Sequence, residues 1–565
     1  MSSKLQLTTL AVLVSAALPA QAALYKVVEV APSFSKEEVD NFIKDTTEYY
    51  GTAITPSGSD TSCFTRDCAD GSNYALAGET RNEPSGFSYR EEVPFAMDNS
   101  FGYIEDDYDG FEDYCFYQLG YATCEYWASD RWSNWYNETY SSNTRNSLAF
   151  IEGGTVVNGI NTVINSISPA GTFIGNYAPL DKSSRNVPFT GNLTGTWKQG
   201  HQWSSDDTYS VGSVSSRTGI GGERYYYYSK PAVWNGTTVN AVKWAYDDQQ
   251  DGDYYAQGSM RDLYVDKSVT PNKFYGVGYN NYKDQHMNAT IFKGTTTDLT
   301  NLSSVQINNA QVDISGDNIH SNSVATNINK NLVVVGQAKR SGGFPQNGAA
   351  SNRLFIVPDA SASSINASFF YGGIFFDGAG GEMGGINNFN EIVGRIDSEN
   401  HREYDGKQRR QRAFIYPYGV TPKVTVPAEV TAINDRKAIL GGKAQFLDNL
   451  TNGGLESSHN NQYRIYDASD INDAGVISAT AVRCYLSDSK TPAEYDSTAH
   501  NAYCDNGNGN ERVVAVKLVP IAGEVYNSKD DRGYESTATE RKGAGLGFGT
   551  LTILGLFGFM RKRIK

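Results

Sequence analysis

Ile386-Asn387-Asn388-Phe389-Asn390-Glu391-Ile392-Val393-Gly394 reads as the end of one β-strand, a tight turn and the start of a second strand that closes on glycine. Asparagine suits the turn because its side chain bonds its own backbone and tolerates left-handed geometry. The branched pair after the turn supplies a buried strand face. The closing glycine lets another backbone come close. The same seven-position spacing from Asn to Gly recurs at Ile328-Asn329 with Gly336 and at Ile433-Asn434 with Gly441. Ile167-Ser168 leads to Gly175 at that spacing, Val269–Gly278 is a looser copy, and Ile471-Asn472 begins alike but lacks the closing Gly. Asn329, Gly336, Asn387, Gly394, Asn434 and Gly441 are therefore expected to form repeat turns rather than to bind or catalyse.

A branched or aromatic strand follows several copies after a variable loop, as in Arg353-Leu354-Phe355-Ile356-Val357 and Arg412-Ala413-Phe414-Ile415-Tyr416. Units of roughly 40–60 residues match a propeller blade. One such unit cannot bury its own face, so neighbours must stack. The expected fold is mainly β: a propeller-like repeat body over residues 23–540, of undetermined blade number. Tyr25-Lys26-Val27-Val28-Glu29-Val30 reads as a first strand, and Ser35-Lys36-Glu37-Glu38 as a helix-opening capping box. From about residue 52 to 146 the repeat signal vanishes. That stretch reads as a partly helical insertion clipped by disulfides.

The two ends look like sorting signals. Lys4, the apolar run Leu5–Leu18, Pro19 and Ala20-Gln21-Ala22 form a signal-peptide pattern, so residues 1–22 are expected to be removed by signal peptidase after Ala22. Residues 541–565 carry Gly543 and Gly545, the apolar run Thr550–Met560 and the basic end Arg561-Lys562-Arg563. Gly543–Met560 is slightly short for a bilayer and rich in Gly, so it would span poorly, with its basic end on the cytoplasmic side. The tail resembles the GlyGly-CTERM class of sorting signals. That resemblance implies a C-terminal transmembrane helix cut by a rhomboid-type protease, with release to the cell surface; a permanent anchor is the alternative. The repeat resembles the bacterial "probable extracellular repeat" with its HAF-type signature, best matched by Ile386–Gly394 with Ala413-Phe414-Ile415-Tyr416. The whole layout resembles an exported bacterial domain-of-unknown-function family. It implies a propeller-like fold and a place in the periplasm or on the outer surface.

Composition agrees with export and narrows the partners. Net charge is −15, which argues against nucleic acid because phosphate binding needs clustered Lys and Arg. Tyr (37) and Gly (56) are abundant while Pro (17) and Met (6) are scarce, favouring strands and turns over helices. The six cysteines form three sequence-local pairs, Cys63/Cys68, Cys115/Cys124 and Cys484/Cys504. Local disulfides are the favoured pairing, although six cysteines allow 15 connectivities.

Few residues suggest chemistry. Asp107, Asp109 and Asp113 lie in a dense acidic loop that could hold Ca²⁺ or be a solvated turn. No other cofactor is suggested. Trp127, Trp132 and Trp135 could stack on sugars or form the insertion's core. No serine-nucleophile elbow, zinc motif or nucleotide-binding glycine loop occurs. The expected function is therefore binding, of a surface glycan or another ligand, by a non-enzymatic envelope protein. The alternative is a carbohydrate-active hydrolase with its acids at the propeller mouth.

Overall fold

The computed structural model describes residues 23–533 apart from 35–41, 59–61, 97–102, 105, 120, 122, 139–145, 155–158, 181–183, 220–224, 252–253, 284–285, 312–321, 340–351, 401–408 and 500–502. Within these residues the chain builds a seven-bladed β-propeller. Strand β1 (Tyr25–Glu29) comes first in sequence but belongs to the last blade. Blade 1 is β2 (Glu48–Ile54), β3 (Leu76–Arg81) and β4 (Ser147–Ile151), and blade 2 is β5 (Thr162–Ile167), β6 (Phe173–Tyr177) and β7 (Val187–Pro188). Blade 3 is β8 (Gln199–Ser205), β9 (Tyr209–Gly219), β10 (Tyr225–Asn235) and β11 (Thr238–Ala241), followed by the small hairpin β12 (Gln250–Asp251) and β13 (Tyr254–Tyr255). Blade 4 is β14 (Ser259–Asp266), β15 (Lys273–Asn281), β16 (Met287–Thr295) and β17 (Ser303–Gln306). Blade 5 is β18 (Ser323–Ile328), β19 (Val334–Lys339), β20 (Asn352–Val357) and β21 (Ser368–Phe369). Blade 6 is β22 (Gly381–Ile386), β23 (Glu391–Asp397), β24 (Gln411–Pro417) and β25 (Gln445–Phe446). Blade 7 is β26 (Tyr463–Ile471), β27 (Ile477–Tyr485) and β28 (Asn510–Pro520), with β1 on its outer edge.

The first strand of each blade packs against that of the next, and β26 returns to β2, so the ring is closed. Closure is also made in the sheet. β1 runs antiparallel to β28 from Tyr25↔Pro520 to Glu29↔Val516, so the first and last strands of the ring share one blade.

Every inner strand carries a β-bulge: at Thr52, Asn165, Trp203, Arg261, Thr326, Gly384 and, in β26, at Tyr466 and again at Ser469. A bulge kinks its strand toward the partner. This is the physical reason for the repeat glycine. In six blades a glycine on the second strand lies across the bulge. A Cβ there would fall on the carbonyl oxygen of the inner strand: 2.6 Å at Gly78, 2.0 Å at Gly175, 1.8 Å at Gly212, 2.0 Å at Gly278, 2.3 Å at Gly336 and 2.4 Å at Gly394. Blade 7 lacks the glycine and has Ala479 at the same step from its turn asparagine.

The turn asparagines join the blades. Asn387 Oδ1 accepts the Phe389 and Glu391 amides at 2.9 and 3.1 Å, closing its own turn. Asn329 does the same with Asn331 and Val333, and Asn472 with Val476. Each then donates from Nδ2 to the next blade: Asn329 to Asn387 O, Asn387 to Asn472 O, and Asn472 to Thr55 O, at 2.8, 3.1 and 3.0 Å. One side chain thus shapes a turn and clasps two blades.

Three expectations are corrected. Ile433-Asn434 is not a repeat turn, for it lies inside the helix Pro427–Ile439. Pro427 starts that helix and Gly441 ends it: the Gly441 amide donates to Ala438 O and that of Gly442 to Lys437 O, both glycines having positive φ. Residues 52–146 are not wholly an insertion either, because β2 and β3 are blade strands; the insertion proper is Asn82–Asn146, between β3 and β4. The Asp107–Asp113 stretch is helix α1 rather than a loop. Among the described residues no three His, Cys, Asp or Glu side chains converge as a metal site requires. All three expected disulfides are formed, with Cα separations of 5.5, 5.7 and 5.2 Å. No helix among the described residues is long and apolar enough to cross a membrane. The signal pattern with Ala20 and Ala22, the capping box, and the tail with Gly543, Gly545 and Arg561–Arg563 lie outside the described residues.

Candidate functional site

The bulges aim side chains at the ring axis, and all seven inner strands line a cavity of about 440 Å³. Thr52, Asn165, Trp203, Arg261, Thr326, Gly384 and Tyr466 all stand in its wall. The insertion forms the rest of the wall. Helices α1 (Asp107–Asp113) and α2 (Glu125–Tyr136), pinned by Cys115–Cys124, pack Phe111, Tyr114, Leu119, Trp127 and Trp135 together and onto Tyr279, Met287 and Val324 of blades 4 and 5. Phe95 lies 4.6 Å from Tyr279, ring to ring. The tryptophans are thus mainly core: Trp127 and Trp135 are buried, and only Trp127 of the three reaches the cavity.

The wall is rich in charge. Arg81 pairs with Glu79 at 2.5 Å, Arg261 with Glu91 at 2.6 Å and with Glu92 at 3.3 Å, and Arg395 with Glu382. Aromatic rings back the guanidinium groups: Arg261 lies 3.9 Å from the centre of Trp203, and Arg81 4.3 Å from that of Tyr50. Arg395 also donates to the Tyr466 hydroxyl at 2.9 Å. Two carboxylates serve the scaffold. Asp262 accepts the Ile328 amide of the next blade at 2.9 Å, and Asp470 accepts the Ile54 amide at 3.0 Å. Burial pushes Asp262 up to about 6 against the pull of these amides, and it raises Asp470 as well. His201, behind the wall, is held well below the usual imidazole range by burial and by repulsion from Arg261, so it is neutral.

Two charged groups stand apart. Arg90 donates to Asn165 Oδ1 and O, both at 3.2 Å, and thus meets only neutral acceptors. Its Cζ lies 5.7 Å from the Trp203 ring. Asp467 lines the cavity without a hydrogen bond or ion pair to any described residue. Burial raises its pKa, opposed first by Arg395.

Few residues singled out in the sequence belong to this site. Asn329 and Asn387 shape turns at the far ends of the inner strands, and Gly336 and Gly394 stand behind the bulges. Cys63–Cys68 lies in the β2–β3 connection and Cys484–Cys504 at the base of the β27–β28 connection. The cavity residues themselves were missed. One signal was present: ionisable residues in otherwise buried strands, as in Ser259-Met260-Arg261-Asp262 and Ile465-Tyr466-Asp467.

The molecule is thus a seven-bladed propeller with a charged axial cavity covered in part by an inserted, disulfide-pinned helical segment. The chain belongs to the family described as "Protein of unknown function (DUF3466)", which matches residues 2–198 and 270–563, well over half of its length. No curated protein matches it.

Proposed function

We propose that this protein is exported and binds a small polar ligand in its axial cavity. The observation that carries the reading is the charged wall to which every blade contributes. Three arginines stand there with carboxylate partners and Arg131 lies on Trp127, while Arg90 and Asp467 have no charged partner among the described residues. Arginines already bonded to carboxylates present matched charge, which suits recognition better than proton transfer. The volume falls in the range of small-molecule sites. Three disulfides and no free cysteine among the described residues support an oxidising compartment, the periplasm or outer surface. The signal pattern ending at Ala22, the HAF-type repeat and the GlyGly-type tail support the same route, with signal peptidase and a rhomboid-type protease as processing partners.

Mass spectrometry of the protein from its native envelope tests export. A chain starting at Ala23 and lacking Arg561–Lys565 is expected; an intact N-terminus would sink the export claim. Thermal-shift screening with neutral sugars, sugar acids and amino acids tests binding. A hit that Arg90→Gln abolishes is expected, and hits insensitive to every cavity substitution would place the ligand elsewhere. A second reading, a carbohydrate-active hydrolase, is favoured by one observation: Asp467 lines the cavity with no hydrogen bond or ion pair to a described residue, and burial biases it toward its protonated form, as a general acid requires. Release of reducing ends from oligosaccharides, lost in Asp467→Asn, would establish it.

A further inference from the structure

The ligand's charge can be read from what the wall leaves unmatched. Glu79, Glu91 and Glu382 each have an arginine, and Asp262 and Asp470 each hold backbone amides. Arg81, Arg261 and Arg395 are matched by those glutamates. Arg131, also in the wall, is held by Trp127, whose carbonyl oxygen accepts from it at 3.3 Å and whose ring it covers at 4.3 Å. Arg90 and Asp467 are left: one cation whose hydrogen bonds go only to neutral oxygens and one carboxylate with no donor among the described residues. Arg90 lies in the field of Glu79 and Glu91 and then of Asp467, and Asp467 in that of Arg395 before Arg90, yet no ion pair joins either of them to these groups. Both are half-buried, where an unmatched charge is costly. A guanidinium with a free edge binds carboxylates, and a lone carboxylate in a confined space binds an ammonium group.

We propose that the cavity takes a small zwitterion, with its carboxylate on Arg90 and its ammonium group on Asp467. Free amino acids and short peptides share this chemistry. The inference rests on the cavity being a ligand site at all. In this arrangement Trp203 and Tyr466 flank the ligand, and the Arg261–Glu91 and Arg395–Glu382 pairs keep the neighbouring charges silent.

The test is calorimetric titration of the exported protein with alanine, diglycine, N-acetylalanine, alaninamide, glucuronate and glucose. Alanine or diglycine is expected to bind, with at least a tenfold loss when either end is blocked. Arg90→Gln should weaken alanine tenfold or more while leaving alaninamide unchanged, and Asp467→Asn should do the converse with N-acetylalanine. Arg90→Lys, which keeps the charge, guards against a folding defect and should retain most of the binding. Equal binding of the blocked and free forms, or no binding of either zwitterion, would overturn the proposal. Binding of glucuronate or glucose alone, if lost in Arg90→Gln, would overturn the zwitterion and leave the cavity reading standing. Binding of any probe untouched by both substitutions would overturn the two together.

Discussion

Replacing Gly336 with alanine tests the link between the bulges and the repeat glycine. The new Cβ would lie 2.3 Å from Val324 O, 2.5 Å from Phe355 Cζ and 2.9 Å from Ala325 Cα. Atoms in ordinary contact sit about 3.5–4 Å apart, so strand β19 must retreat from β18 by about 1 Å. The ring of Phe355 is fully buried in the core between blades and has no free direction to yield. Overpacking of this kind costs about 1–3 kcal/mol. The backbone collision adds stretched ladder bonds beside the bulge, each worth about 1 kcal/mol. A loss of about 3 kcal/mol or more is expected. The assay is urea unfolding followed by tryptophan fluorescence, with Gly58→Ala as the control, because a Cβ at Gly58 meets nothing within 4 Å. The control should fall within about 0.5 kcal/mol of the parent. A Gly336→Ala protein as stable as the control would refute the claim that the bulge demands glycine.

Further outcomes follow from the same structure. Asn387→Ala leaves the Phe389 and Glu391 amides without their acceptor and cuts the bond to Asn472, so a loss of about 2–4 kcal/mol is expected in urea melts; a loss under 1 kcal/mol would deny the clasp. Asp262 has a folded pKa above its ordinary 3.8, so the folded state holds the extra proton and stability from this group falls as pH rises from about 4 through about 6. The span corresponds to about 3 kcal/mol, and Asp262→Asn should flatten the slope of stability against pH in that window; an unchanged slope would refute it. Removing the Cys115–Cys124 bridge with paired serines should expose the insertion, Asn82–Asn146, to limited proteolysis while the ring stays folded, at a cost of about 2–3 kcal/mol to the insertion. Global unfolding instead would show that the ring needs the insertion.

Local chemistry made five of the blades legible, blade 4 through the looser copy Val269–Gly278. In blades 2, 5, 6 and 7 an Asn or Ser turn and a Gly or Ala seven positions later sit within one hairpin, so the sequence carries the whole constraint. The Ile433-Asn434 match failed for an equally local reason. An apolar residue followed by a polar one fits a helix face too, and a glycine that ends a helix looks like one that faces a bulge. The three disulfides were legible because their partners lie within 20 residues of each other.

The sequence by itself determined the repeating hairpin, the cysteine pairs and the mainly β character, because turns, short loops and strand faces are set by neighbouring residues. Only the tertiary structure decided the seven-blade count, the pairing of β1 with β28 and the cavity. Blade 1 is split by the insertion, and Tyr25 meets Pro520 across nearly the whole chain. The cavity exists only once seven bulges converge on one axis, so Arg90, brought by the insertion, and Asp467, brought by the last blade, have no relation in sequence. Charges become a site when ring closure brings them to one wall, and no single repeat contains that geometry.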